Sequence, residues 1–362
     1  MRPILSSSSP CSGPTPRPTA AKTTSGKETA ASSFSDIHHD ILQSHILTRL
    51  DGPALASASC VSTCLSALSS DERLWADISH STWPSINAPH VCRIISTFPG
   101  GHWSFFTDAY PLLADNAGSP STAHPPPPTE LHRRPSELIS AVDIRYRGQL
   151  IFSKTAETET ETGWFRCSPF RIDMLEPKDA VPTPVPFPSP DDACGDLGDS
   201  LRLSWVLIDP EGRRAMNLSS AAPVSIQRHW LSGEVHARFA TVLPYGERGT
   251  AAERVACTIA VTCGGSGGGA MQVREVSAQV EDMEGTYLNG GDSLAILRRA
   301  MEGKRGKKTR EEEEGRRRYD DFLERRRERR ERRARAEGTL DALCVGFGSA
   351  ALVAFWLFIL CR

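Results

Sequence analysis

Val255-Ala256-Cys257-Thr258-Ile259-Ala260-Val261-Thr262-Cys263 alternates larger apolar side chains with small ones over nine residues. A period of two places Val255, Cys257, Ile259, Val261 and Cys263 on one face, the pattern of a half-buried strand. Upstream, Glu234 to Val242 repeats the pattern, with Val235, Ala237 and Phe239 opposite His236 and Arg238. Leu201 to Ile208 is an apolar run around Trp205, and Ala141 to Ile151 carries Val142, Ile144, Tyr146, Leu150 and Ile151. No long helical pattern separates these segments, so the region from Ser136 to about Asn289 is predicted to form an antiparallel sandwich or barrel-like sheet. Pro at every second position from Pro182 to Pro190 excludes a central strand there. Gly264 to Gly269 is followed by Ala270-Met271, not by the Lys-Ser/Thr of a phosphate loop, and reads as a connector.

The chain has 362 residues, 39% hydrophobic content, 26 Pro and a net charge of −2. That length predicts two folded units with tails and linkers between them. Residues 1–33 are rich in Ser, Thr, Pro and Ala and are expected to be a disordered tail. They lack the apolar run of a secretory signal. None of the ten Cys forms a Cys-x-x-Cys pair, which predicts free, mostly buried thiols in a reducing compartment and no zinc site.

From Phe34 to Trp83 the period lengthens to that of helices. Ile41, Leu42, Ile46, Arg49 and Leu50 recur at helical spacing, and Asp51-Gly52-Pro53 is expected to stop that first helix. Ala54 to Cys60 and Ser62 to Leu68 read as two further short helices, and Leu74-Trp75 closes the unit. About 45 residues is below the size that usually folds alone, so this module should lean on a partner or on the next domain. His38, His39 and His45 read as exposed histidines, because Asp40 alone does not complete a metal site. Glu157, Glu159 and Glu161 read as a solvated edge, not as an acid–base pair.

Ser293 to Met301 is predicted to be a short helix capped by Asp292. Lys304 to Glu337 holds 16 basic and 10 acidic residues, a net of +6, and reads as a solvated helix. Ala342 to Cys361 then has no charged residue over 20 positions, about 30 Å of helix and so the thickness of a bilayer core. The basic block precedes the span, so the positive-inside rule places the preceding chain in the cytosol as a tail-anchored protein. Arginines near the surface would meet lipid headgroups, whereas interleaved acids argue against nucleic acid.

The helical module resembles an F-box. The resemblance rests on Ile37 to Leu42, Ile46 to Leu50, Leu55, Val61-Ser62 and Asp71-Glu72-Arg73-Leu74-Trp75. His38 stands where Pro is usual and Leu65 where an internal Trp is usual. Ser81 to Pro84, Phe98 to Gly101, Gly163 to Arg171 and Gln227 to Leu231 extend the similarity to a group of plant F-box proteins that also end in a basic stretch and an apolar tail. The passage from Ile208 to Trp230 is similar to the phloem-lectin-like sandwiches attached to some F-boxes.

The resemblance implies a non-catalytic substrate receptor of an SCF ubiquitin ligase, bound to its small adaptor and through it to a cullin, with no cofactor. The adaptor-binding set it implies is Ile37, Ile41, Ile46, Leu47, Leu50, Leu55, Val61, Leu65, Leu74 and Trp75. Trp164, Phe165, Arg166, Phe170 and Arg171 combine aromatic and Arg residues as interface hot spots do, and form the expected surface for an unknown protein substrate. The alternative is a membrane-anchored protein- or carbohydrate-binding module with no ligase role.

The expected fold class is α+β. Residues 34–83 would be a three-helix F-box and 84–135 a helical or loop connector with a Pro-rich linker. Residues 136–302 would be a β-rich substrate-binding domain, 303–340 a charged juxtamembrane helix and 341–362 a transmembrane anchor, with the endoplasmic reticulum as the expected membrane.

Overall fold

The structure, a computed structural model, describes residues 38–110, 135–189, 194–247, 249–303 and 311–362. The expected disordered tail, Ile37 and almost all of the Pro-rich linker lie outside the described residues. The class is α+β, as expected.

The first helical run comprises α1 (His39–Ile41), a π turn (Leu42–Ile46) and a 3-10 turn (Leu47–Arg49). His38, at the position where F-boxes favour Pro, caps α1 by accepting from the Asp40 amide at 3.3 Å. Helices α2 (Gly52–Ser59), α3 (Thr63–Ser69) and α4 (Glu72–Thr82) follow. Their caps are Asp51, Ser62 and Asp71, each accepting an amide of the first turn. The first helical run ends at Arg49, just before Asp51-Gly52-Pro53, as expected, but those three residues also start α2 and Gly52 is not a left-handed cap. Gly52 is required for another reason. A Cβ there would lie 2.1 Å from the Phe106 ring, so only glycine lets α2 approach that closely.

A 3-10 turn (Pro84–Asn87), α5 (Pro89–Ile95) and α6 (Gly101–Ala109) complete the helical layer. Glu72 at the start of α4 accepts from both the amide and Nδ1 of His102 on α6, each at 2.7 Å.

Ten strands follow. β1 (Glu137–Tyr146) and β2 (Gln149–Glu159) are an antiparallel hairpin, where the sequence suggests one continuous strand over Ala141 to Ile151. Arg147 and Gly148 have φ of 49° and 79°, and two successive positive φ values give a tight turn that matches strand twist. After α7 (Gly163–Cys167) come β3 (Arg171–Asp173), β4 (Val181–Pro186) and α8 (Gly195–Ser200). β5 (Leu201–Asp209), β6 (Arg214–Asn217), β7 (Ser225–Arg228), β8 (Val235–Pro244), β9 (Arg254–Gly265) and β10 (Ala270–Glu281) complete the strands.

One sheet has the order β2-β1-β5-β6, the other β3-β10-β9-β8-β7 with β4 also on β10. All pairs are antiparallel. The Pro-rich β4 pairs with β10 alone, at an edge, as its missing amide donors require. β2 is likewise an edge strand and exposes Glu157 and Glu159.

The two sheets face each other across a core that includes Val142, Trp205, Phe239 and the inward row Val255, Cys257, Ile259, Val261 and Cys263. The outer face of the four-stranded sheet is buried too. Ile139, Ala141, Val206, Ile208 and Ala215 share a core with Leu47, Leu55, Trp75, Trp83 and Phe105. The helical module thus leans on the sandwich.

Helix α9 (Gly290–Glu302) is capped by Asn289, which accepts from the Asp292 amide at 2.8 Å, so the cap lies three residues before the expected Asp292. Helix α10 (Glu311–Leu360) is a single helix through both the charged stretch and the apolar tail. It is not simply solvated. Tyr319 and Phe322 are buried against Ala240, Ala256 and Met283 on the outer face of the six-stranded sheet. The order of layers is helices, four-stranded sheet, six-stranded sheet, α10.

All nine described cysteines are free, but only Cys194, Cys257 and Cys263 are buried, which corrects the expectation that most would be. Burial pushes the Cys257 and Cys263 thiols up to about 12. The native protein should therefore alkylate at exposed Cys60 and Cys167 while Cys257 and Cys263 stay unmodified until denaturant is added. Peptide mass spectrometry after timed labelling checks this; early modification of Cys257 would contradict the described core.

Candidate adaptor and target surfaces

The expected adaptor-binding set divides by burial. Leu47, Leu55, Leu65, Leu74 and Trp75 are interior, and Leu55 and Trp75 are 0% and 1% exposed. The Trp75 indole donates to the Ser69 carbonyl at 2.7 Å, so even its polar atom is satisfied inside. Leu65, in place of the usual Trp, keeps an apolar contact in the same core. Leu50 is partly buried against it. Ile41, Ile46 and Val61 instead face outward, and Val61 is 74% exposed. Cys64 Sγ lies 3.2 Å from His39 Nε2, which draws the first helical run to the α2–α3 corner and so brings Ile41 and Val61 to the same corner. Ile41, Ile46 and Val61 are thus three exposed β-branched side chains of the helical module that a partner could cover.

The expected target surface divides in the same way. The Thr162 hydroxyl accepts from the Phe165 amide at 3.2 Å and caps α7, which holds Trp164 80% exposed. Phe165 and Phe170 turn inward, 6.1 Å apart and edge to face. Arg166 is half-buried. Arg171 is exposed but engaged, pairing with Asp173 and Glu275 at 2.8 and 2.9 Å.

A second surface was not anticipated. The hairpin between β7 and β8 carries Trp230, 87% exposed, and Leu231, 74% exposed. Its backbone is braced: the His229 amide donates to the Glu234 carbonyl, and the Gly233 amide to the His229 carbonyl. Beside it lies an open cleft of about 590 Å³ lined by Phe187, Pro188, Arg228, Glu234 and Arg274, among others. Arg228 lies over the Phe187 ring, 5.5 Å from its centroid, and donates to the Pro188 and Ser189 carbonyls. Arg274 meets Glu234 at 2.7 Å and holds that carboxyl below its ordinary range. The available signal was an apolar pair set in a turn between polar residues, Arg228-His229-Trp230-Leu231-Ser232-Gly233.

The histidines His38, His39 and His45 are exposed, and among the described residues no group of three or more His, Cys, Asp or Glu could hold a metal ion.

Three proteins of Arabidopsis thaliana are similar to this chain along almost its whole length. One, named a probable F-box protein, is 48% identical over 91% of this chain and 94% of the relative. This chain is a plant F-box protein. Two further relatives, each named an F-box protein, are 42% and 41% identical, over 91% and 89% of this chain and 97% and 90% of their own lengths. No family model and no solved structure matches. The likeness to these F-box proteins extends well beyond the helical module, through the sandwich. The F-box assignment points to target recognition as the general role of this chain. Within α10, an 18-residue window has mean hydropathy 2.3 and is 0% buried, long and apolar enough to cross a membrane.

Proposed function

We propose that this F-box protein is the target-recognition subunit of an SCF-type ubiquitin ligase, held at a membrane by α10 with its folded bulk in the cytosol. The observation that carries the reading is the whole-length likeness to F-box proteins in a chain whose helical module still exposes Ile41, Ile46 and Val61. These three residues, with the partly buried Leu50, form the adaptor face. Leu47, Leu55, Leu65, Leu74 and Trp75 act indirectly, by holding that face in shape. The adaptor joins the chain to a cullin. The sandwich brings a bound protein to the ubiquitin-loaded enzyme, so its contribution is proximity and not chemistry.

Trp164 on α7 and Trp230 on the β7–β8 hairpin are the two candidate anchors for that protein. They lie toward opposite edges of the six-stranded sheet, near β3 and beside β7. Both are large apolar side chains held outward by hydrogen-bonded turns, the kind of residue that dominates interface energetics.

The test is capture of a Skp1-like adaptor by the full-length protein in detergent. Ile46→Asp and Val61→Asp each place a charge on an exposed position. Each should lower adaptor capture by about tenfold or more while leaving the melting temperature unchanged. Retention of no adaptor by the unmutated protein would sink the ligase reading.

A further inference from the structure

Helix α10 presents one stripe to the sandwich. Arg316, Tyr319, Phe322, Arg326, Arg330 and Arg333 recur every three or four residues, and each touches it. Arg316 donates to the Pro223 carbonyl at 3.0 Å. The Arg238 guanidinium lies 3.5 Å from the Tyr319 hydroxyl, and Phe322 is fully buried. Arg326, with its side chain 16% exposed, meets Glu281 at 3.3 Å. Arg330 donates to the Glu284 carbonyl at 3.1 Å, and Arg333 reaches the Glu284 carboxylate at 3.2 Å. From the flank of the stripe, Arg329 donates to the Gly249 carbonyl at 2.8 Å. Gly285 is favoured in this seam by its φ of 86°, a left-handed conformation that other residues adopt only with strain.

The contacts have a direction. As α10 runs from Tyr319 to Arg333, its partners move from Arg238 inside β8 to Gly249 beyond it, and from Glu281 at the end of β10 to Glu284 beyond that. In an antiparallel sheet the end of β8, the start of β9 and the end of β10 are one edge of the fold. That edge is the one nearest the apolar tail. The opposite edge carries the β7–β8 hairpin with Trp230 and the Gly265–Gly269 turn.

Because α10 is one unbroken helix, the contacts also set a height. Arg333 to Ala342 is nine residues, about 14 Å at the usual rise. The headgroup layer takes up roughly half of that. We infer that α10 is a rigid strut that faces the β8–β9 loop and the β10–α9 turn toward the lipid headgroups and holds the Trp230 hairpin away from the bilayer. The hairpin stands on the order of 40 Å from the hydrocarbon edge, from about 34 Å of helix between Tyr319 and Ala342 plus the start of β8. The adaptor corner lies on the far side of both sheets from the strut, so docking does not obstruct it. A target captured at the hairpin must therefore project well beyond the headgroups. This inference rests on the proposed membrane span.

The test reconstitutes the full-length protein into phosphatidylcholine vesicles containing a headgroup spin-labelled lipid. A fluorescent amino acid is placed by stop-codon suppression at Glu247 in the β8–β9 loop or at Trp230. Quenching should be several-fold stronger at position 247 than at 230, and Phe322→Asp or Arg326→Glu should abolish the difference. Equal quenching in vesicle-bound unmutated protein overturns the strut. So does a difference that survives both substitutions while thermal melting shows the sandwich still folded. Failure to float with the vesicles overturns the span itself, a distinct result that removes the strut with it.

Discussion

Trp75→Ala is expected to lower folding stability by about 3–5 kcal/mol, the range for emptying a fully buried aromatic site. Trp75 is 1% exposed, packs on Phe106 at 5.4 Å and donates its indole proton to the Ser69 carbonyl. Phe106 in turn sits 5.3 Å from Trp83, and Trp83 5.5 Å from Phe105, so the vacancy opens in the middle of an aromatic cluster. The same core includes Ile139 and Val206 of the four-stranded sheet. The loss should therefore spread beyond the helices. Helical and aromatic circular dichroism should melt together, at a lower temperature than in the unmutated protein. Adaptor capture should fall with the folded fraction, in contrast to Val61→Asp, which should lose capture and keep its melting temperature. Separate transitions for helices and sheets would contradict the shared core.

The second large effect is expected at Asp143, inside β1. Its carboxylate accepts from the Ser85 amide at 3.0 Å, the Ser85 hydroxyl at 2.6 Å and the Ser153 hydroxyl at 2.7 Å. It thereby ties the turn that starts at Pro84 to the sheet. Asp143→Ala leaves these donors unpartnered and should cost about 2–4 kcal/mol, since buried unmade hydrogen bonds cost more than made ones contribute. Asp143→Asn keeps an acceptor and should cost much less.

The pH dependence separates charge from shape. Burial pushes the Asp143 carboxyl above its ordinary range, against the pull of the Ser85 and Ser153 hydrogen bonds. The folded protein then holds this proton more tightly than the unfolded chain. Asp143 therefore makes stability fall as pH rises from the ordinary carboxylate value through the raised folded value. Below that window the penalty is absent and above it complete. Urea titrations from pH 4 upward should show the unmutated protein losing stability relative to Asp143→Asn across the window. A constant difference would contradict the assignment.

Both effects lie where the sequence was least informative. Ile86, Phe105 and Phe106 read as part of a connector, yet with Trp83 they are the centre of the helical core. Nothing local marks Phe105-Phe106 as the partners of Trp75, about 30 positions earlier. The split of the adaptor set has the same origin. Leu55 and Val61 are equally apolar on the page, and only the packing of α6 and the sheet outer face decides that one is covered and the other is not. Tyr319 and Phe322 lie in a charged helix, but their partners Ala240 and Ala256 lie in distant strands and Met283 in the turn beyond β10.

What the sequence determined by itself was whatever depends on near neighbours along the chain. The alternation at Val255 to Cys263 forces a strand, because successive side chains point to opposite faces. Proline at alternate positions confines β4 to an edge. Twenty uncharged residues make an apolar helix wherever they are placed. The tertiary structure alone decided which faces meet: the module against the four-stranded sheet, α10 against the six-stranded one, and Trp230 left outward. Burial is a property of pairs of surfaces, and the second surface of each pair comes from residues tens to hundreds of positions away.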